Sequence, residues 1–360
     1  MTPLKQEIAA IIAHDGPITL ERYMALCVGH PKFGYYMTRD PFGQAGDFVT
    51  APEISQMFGE LLGVWASETW RAAGAPSSAR LVELGPGRGT LMSDVLRVAR
   101  IAPPFLDAIT THLVETSPVL RDIQRQTLQG AAKPVAWSPD VAHVPRGPAV
   151  ILANELFDAL PVRHFVKTIG GWRERLVGLD AGGELAFGLS DRVEPTLNAP
   201  AREGSIIEVG AIGQRLMTEI AARLAAEGGA LLVIDYGYLE TSLGDSLQAV
   251  ARHAYVDPLA APGDADLTAH VDFAALGRAA RAQGAKVMGP VTQAYFLQQL
   301  GIERRAQSLS RRATEEQAAA IAAALERLTG EDDARRQMGG LFKVMAVTHP
   351  DMPALPGFFV

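Results

Sequence analysis

A chain of 360 residues with 48% hydrophobic content can bury a large core, as one elaborated domain or two, and is too apolar for intrinsic disorder. Its formal charge of −7 argues against broad nucleic-acid binding, which needs a concentrated basic surface. The single cysteine, Cys27, excludes an internal disulfide framework and any cysteine-cluster metal site, and reads as a small buried hydrophobe.

Helical periodicity runs over Leu4–His14, with none of the features of a signal or transit segment. No run approaches the roughly 20 apolar residues of a membrane span. No membrane insertion is expected, and a reducing compartment is: the cytoplasm of a bacterium, or the mitochondrial matrix for a processed eukaryotic chain. A second helix restarts in DGPITLERYMAL with Thr19 as its N-cap. Residues His30–Ala51 form a loop rich in glycine, proline and aromatics. The segment Pro52–Gly74 then reads as one long amphipathic helix entered through Pro52. Residues 1–75 are therefore expected to be a helical extension with one conspicuous lid-like loop.

From Arg80 onward apolar runs alternate with helical segments. Strands are expected in ARLVELG, THLVET, AVILANE, ALLVIDYG, KVMG and LFKVMAVTH, and helices in TLMSDVLRVAR and PVLRDIQRQTLQ. This alternation predicts an α/β fold with a doubly wound sheet, whose ligand groups gather beyond the carboxyl ends of the strands. Within a core spanning 76–360, a glycine-punctuated β-meander near 172–200 and an alanine-rich helical stretch near 290–337 read as insertions. The arginines of ERRAQSLSRRA (Glu303–Ala313) have the spacing of a solvated helix face.

The run LVELGPGRGT (Leu81–Thr90) is a strand that breaks into a glycine turn. A phosphate-binding P-loop would place Lys and Ser or Thr after its last glycine, and Arg88, Gly89 and Thr90 do not supply them. The dinucleotide fingerprint fits only through Gly85 and Gly87, because the next glycine, Gly89, comes one position early. A nicotinamide-dependent oxidoreductase is thus disfavoured but stays open. The pattern E-x-G-x-G-x-G, made by Glu83, Gly85, Gly87 and Gly89, resembles motif I of class I S-adenosylmethionine-dependent methyltransferases. A carboxylate suits that ligand, which carries an ammonium and a sulfonium but no pyrophosphate. Glu115, ending the next expected strand, is placed to accept two ribose hydroxyls. Glu83, Gly85, Gly87, Gly89, Thr90 and Glu115 are the expected cofactor residues.

Six stretches together carry a closer likeness: GDFVTAPEISQMFGELLG (Gly46–Gly63), LVELGPGRGTL (Leu81–Leu91), ANELFDALPV (Ala153–Val162), DYGY (Asp235–Tyr238), DLTAHVDF (Asp266–Phe273) and GGLFKVM (Gly339–Met345). In that order they resemble the MidA family of methyltransferases, which includes the mitochondrial complex I assembly factor. The resemblance implies a class I methyltransferase (Rossmann-like) core with a helical extension and inserted segments, using S-adenosyl-L-methionine. It also implies protein arginine methylation, with a NuoD-type subunit of respiratory complex I as the protein substrate. A non-catalytic assembly chaperone that keeps the fold is the alternative from another class.

Methyl transfer is an in-line displacement, so the protein mainly aligns the nucleophile and excludes water. An arginine acceptor adds a need for carboxylates that orient its charged, planar guanidinium. The candidates follow a predicted strand in ANELFDALP. Glu155 is expected to contact the guanidinium, Asn154 to bond cofactor or substrate, and Asp158 either to join them or to stabilise a helix N-terminus. On the loop, Asp47 and Thr50 are expected to touch the cofactor. Glu53 is expected to start a helix, and Tyr35 and Tyr36 to line the pocket or pack the loop down. His270, oriented by Asp272, is a candidate proton acceptor, although Thr268 or Asp272 also fits a helix cap. Asp235 and Tyr236 border the substrate entrance or make a turn. Eight histidines without a clustered pair give no metal site.

Overall fold

The computed structural model describes residues 2–43, 47, 49–333 and 336–359. Helix α1 (Pro3–Asp15) starts at Thr2, whose side chain accepts the Lys5 N–H, and it buries Leu4, Ile8 and Ile12 at helical spacing. Helix α2 (Leu20–Gly29) is capped as expected by Thr19, which accepts the Arg22 N–H. The long helix expected from Pro52 is in fact broken. A single turn spans Ala51–Ile54, Ser55 leaves helical geometry with φ −161° and ψ 138°, and its side chain caps α3 (Gln56–Ala72) through the Met57 N–H. A serine competes with the helix for backbone hydrogen bonds, and here the cap wins.

The central sheet is built from β1 (Ala79–Leu84), β2 (Ile109–Val114), β3 (Val135–Ser138), β4 (Ala149–Asn154), β5 (Gly229–Tyr238), β6 (Lys286–Thr292) and β7 (Phe342–Thr348). Their spatial order is β6-β7-β5-β4-β1-β2-β3, and Val271–Asp272 pairs in parallel with the end of β5. Strands β3, β2, β1, β4 and β5 run parallel, and β7 runs antiparallel to both of its neighbours. The crossover helices include α4 (Thr90–Ala99), α5 (Pro118–Thr127), α6 (Ala211–Glu227) and α7 (Phe273–Arg281). All but one of the sheet's main strands were legible as apolar runs. The exception, VAWS in β3, is short and only partly buried.

Alternation along the strands divides the apolar side chains between two cores. Leu81, Val150, Leu152, Leu232 and Val344 face α3 and α4. Val82, Leu84, Ile151, Val233 and Met345 face α6 and α7. A third core lies off the sheet. It joins α1 and α2 to a five-stranded antiparallel sheet (Arg163–Thr168, Gly171–Leu179, Leu185–Val193, Ile206–Val209, with Ile18–Thr19 on an edge) and to the three-stranded sheet Gln248–Ala251, Ala254–Val256, Asp266–Thr268. Cys27 is fully buried there. Core membership thus divides the first 75 residues: α1 and α2 pack with the insertions, whereas α3 packs on the central sheet.

Helices α8 (Gln293–Gln299), α9 (Ile302–Ser310) and α10 (Glu315–Thr329) fill the stretch between β6 and β7. One arginine of the run expected to face solvent has a structural partner. Arg305 on α9 forks onto Glu60 of α3 at 2.6 and 2.9 Å, and Arg97 of α4 reaches the same carboxylate at 2.5 Å. Glu60 is only 6% exposed, and its two guanidinium partners hold its carboxyl below the usual range against the cost of burial.

Candidate active site

Strand β1 ends at Leu84, and the chain turns through Gly85, Gly87 and Gly89 into α4. All three have positive φ, at 60°, 52° and 82°, a region that costs a side-chain-bearing residue about 1–2 kcal/mol. A Cβ on Gly85 would come within 2.9 Å of the Leu156 side chain, whereas one on Gly87 would meet the Phe42 ring at an ordinary contact distance of 3.5 Å, so that its positive φ is the constraint there. The turn is therefore a cradle that stays open because its residues lack side chains. It forms part of a cavity of about 670 Å3 at the carboxyl edge of the sheet, within the range of small-molecule sites.

Two buried oxygens at this edge lack partners. Glu83 is 3% exposed; the Met92 N–H donates to its carboxylate, Oε2 has no hydrogen bond, and burial pushes its pKa well up. The Asn154 Oδ1 is likewise unpaired. Both residues line a small crevice shared with Gly85, Gly87, Thr90 and Glu155. An ammonium donor matches those oxygens, so the residues present fit a ligand with a cationic amino-acid head.

Glu115, at the end of β2, also lines the main cavity. Its Oε1 accepts the N–H groups of Thr116 and Ser117, each at 2.8 Å, and its Oε2 accepts from Gln124 Nε2 at 3.1 Å. Gln124 was not singled out in the sequence, yet it also donates to the Gly87 carbonyl at 2.8 Å and accepts from Trp137 Nε1. It locks the glycine turn to the carboxylate. The available signal was a glutamine four residues after Leu120, on the buried stripe of α5.

Beyond β4 stand the acids. Glu155 has φ +51°, a left-handed conformation that costs a non-glycine residue energy and concentrates at functional sites. Its Oε1 accepts from the Ala51 N–H and from Asn154 Nδ2, both at 3.0 Å. Burial outweighs those bonds and, with the nearby Asp158 charge, pushes its carboxyl up to about 7. Asp158 is 6% exposed, is raised by burial, and is bonded by the Tyr236 hydroxyl. Asp266, also 6% exposed, accepts from Tyr36 Oη at 2.7 Å, and burial together with Asp158 pushes it up to about 8. Glu155, Asp158 and Asp266 all line the cavity. Among the described residues no Lys, Arg or His nitrogen lies within 4.0 Å of any of the three.

Several expectations need correction. Asp47 does not line the cavity. Its Oδ2 accepts from Tyr35 Oη and its Oδ1 from the Arg252 N–H, each at 2.5 Å, so it clasps the hairpin Gln248–Val256 to the extension. Thr50 does line the cavity. The Thr90 hydroxyl donates to Glu53 Oε1, and Arg88 lies 3.6 Å from Glu53 and 3.2 Å from Asp40. Thr90 and Glu53 therefore tie the turn to the Ala51–Ile54 helix.

Asp272 does not orient His270, because its Oδ1 caps α7 through the Ala275 N–H and its Oδ2 accepts from Thr241. Both carboxylate oxygens are thus engaged by other partners. His270 itself lines the cavity, lies against the rings of Tyr236 and Tyr238 at 5.4 and 5.1 Å, and is lowered by burial. Asp235 takes the turn role: its carboxylate accepts the N–H groups of Phe157, Asp158 and Tyr236, which holds the acid-bearing loop in place. Asp158 faces the cavity and starts no helix of its own.

One cluster of metal-ligand type does occur among the described residues, His164, Glu208 and Asp245. The Arg175 guanidinium is already in it, 2.8 Å from Asp245 and 3.3 Å from His164 Nδ1. None of the three lines the main cavity.

A seven-strand order with one antiparallel strand, a glycine cradle and carboxylates closing β1, β2 and β4 define a Rossmann-like S-adenosylmethionine-dependent methyltransferase. The sequence comparisons agree. A family profile for S-adenosyl-L-methionine-dependent methyltransferases matches residues 61–291, and this chain belongs to that family. It is 41% identical over 330 residues to the mitochondrial protein arginine methyltransferase NDUFAF7 of Danio rerio, covering 84% of this chain and 78% of that protein. The Homo sapiens protein of the same name is 40% identical over 331 residues, 85% of this chain and 75% of its own length. A crystal structure from Burkholderia thailandensis bound to S-adenosyl-homocysteine superposes with TM-score 0.86 at 30% identity, covering 99% of this chain and 94% of that one. The MidA resemblance read from the sequence holds, as do the fold, the methyltransferase class and the cofactor.

Proposed function

We propose that the chain transfers a methyl group to the guanidino group of an arginine in a protein. The observation that carries this reading is the set of three cavity carboxylates, Glu155, Asp158 and Asp266, none of which makes an ion pair within 4.0 Å among the described residues, with Arg327 and Arg336 on the same lining but beyond that distance. Buried carboxylates are costly unless charge is supplied. A sulfonium and a guanidinium supply it in the loaded enzyme. The printed names of the NDUFAF7 relatives support the same acceptor chemistry. For the acceptor protein we propose a NuoD-type subunit of complex I, on the family resemblance alone.

The roles follow from position. The turn of Gly85, Gly87 and Gly89 lets backbone approach the cofactor, the crevice of Glu83 and Asn154 receives its ammonium, and Glu115 accepts its ribose hydroxyls. Thr50 closes the rim, whereas Asp47 and Thr90 hold the surrounding loops. When bound, S-adenosylmethionine supplies a methyl carbon activated by its sulfonium: the C–S bond breaks as the N–C bond forms, and the electron pair stays on sulfur. Glu155 orients the acceptor nitrogen and takes its proton on Oε2, since Oε1 is held by Ala51 and Asn154. A carboxyl near pH 7 suits that work. His270 stands neutral at the acceptor side.

Incubation of the purified protein with S-adenosylmethionine and a NuoD-type subunit, followed by peptide mass spectrometry, tests the reading. The expected result is a methyl mark on arginine that falls by about 100-fold or more in rate with Glu155→Gln. A mark on another kind of side chain, or none, overturns it.

A further inference from the structure

Asp266 and Tyr36 belong to neither motif I nor the central sheet. Asp266 opens the strand Asp266–Thr268 of the three-stranded sheet, and Tyr36 sits in the short helix Tyr35–Thr38 of the extension. The two meet across 230 residues of sequence through the 2.7 Å bond from Tyr36 Oη to Asp266 Oδ1. Tyr36 is held in turn by an edge contact with Tyr35 at 5.1 Å and a stack with Phe42 at 6.2 Å. A neutral phenol and the Leu267 N–H are the donors to this carboxylate, and neither offsets its charge. Glu83 and Asn154, proposed for the cofactor's cationic head, line the separate crevice at the glycine turn, which neither Asp266 nor Tyr36 borders.

We propose that Asp266 is a specificity-determining carboxylate for the methyl acceptor, binding its guanidinium, with Tyr36 as the positioning residue that fixes the carboxylate. This rests on the arginine reading above. A carboxylate can take two parallel N–H bonds from a guanidinium, and Tyr36, by occupying one side of Oδ1, sets the plane in which they form. The raised proton affinity of Asp266 agrees with a group that takes a cation: burial and the Asp158 and Asp47 charges raise it, and the Tyr36 bond only partly offsets them.

The test is calorimetric titration of the full chain, saturated with S-adenosylhomocysteine, with acetyl-arginine amide and with its neutral isostere acetyl-citrulline amide. Wild type is expected to prefer the arginine compound by about tenfold or more, the worth of a charged hydrogen-bonded pair. Asp266→Asn is expected to erase the preference while keeping wild-type affinity for S-adenosylhomocysteine. Tyr36→Phe, which keeps the charge, is expected to weaken arginine binding several-fold and leave citrulline binding unmoved; it decides the matter if Asp266→Asn fails to fold. A persistent preference in Asp266→Asn, or unchanged arginine affinity in Tyr36→Phe, overturns the proposal while sparing the arginine reading. A wild type without preference overturns both.

Discussion

At the scale of single residues, the acids that suit the chemistry are the ones that burden the empty fold. Asp266 moves from an ordinary 3.8 to about 8 and Glu155 from 4.5 to about 7. Both native values lie above the unfolded ones, so the folded chain binds more protons between them and loses stability as pH rises from about 4 to about 8. Removing one such charge should relieve the burden. Ligand-free Asp266→Asn is expected to melt roughly 1–3 °C above wild type at pH 8, with the gap closing toward pH 5, as differential scanning calorimetry would show. Equal melting at pH 8 would mean that Asp266 carries no buried charge. Glu83, Glu115, Asn154, Glu155 and Asp158 were legible as positions at or shortly after the end of an apolar strand run. Asp266 and Gln124 were not, since their partners Tyr36 and Gly87 are remote in sequence. Asp47 and Asp272 were misplaced because a carboxylate that caps or clasps backbone looks, in one dimension, like one that binds a ligand.

Among the elements, the glycine turn was the most legible, because strand, turn, helix, strand and acid come in order. Its glycines have a positive φ that valine tolerates poorly, at a strain of about 1–2 kcal/mol against typical domain stabilities of about 5–15 kcal/mol. Gly87→Val is therefore expected to keep a cooperative melt while losing S-adenosylhomocysteine binding in a titration. A variant that binds normally would show that backbone approach at Gly87 is not needed. Elsewhere, local chemistry overrode the pattern. Ser55 splits an apparently continuous helix by capping its second half. Strand β3 hides in VAWS because only one of its residues is fully buried. The hairpin Gln248–Val256 turns through Arg252 and His253 at φ 52° and 60°, without the glycine or asparagine that usually announces such a turn.

For the whole molecule, three cores converge on one cavity. The two cores of the central sheet place Glu83, Glu115 and Glu155 at its carboxyl edge. The third, built from α1, α2 and the inserted sheets, brings Asp266 and Thr268 to the same space. That convergence was invisible in the sequence, where the extension and insertions read as separate additions. With it, residues of the extension and of the insertions, among them Tyr36, Asp266 and Thr268, form part of the cavity wall. No described helix is long and apolar enough to cross a membrane. The central claim is that the methyl donor and a cationic acceptor meet among these acids, and a crystal structure of the protein with S-adenosylhomocysteine tests it most directly. The expected result is ribose on Glu115 and the sulfur open toward Glu155, Asp158 and Asp266. A sulfur turned away from those three carboxylates, with adenine or solvent against them instead, would contradict the account.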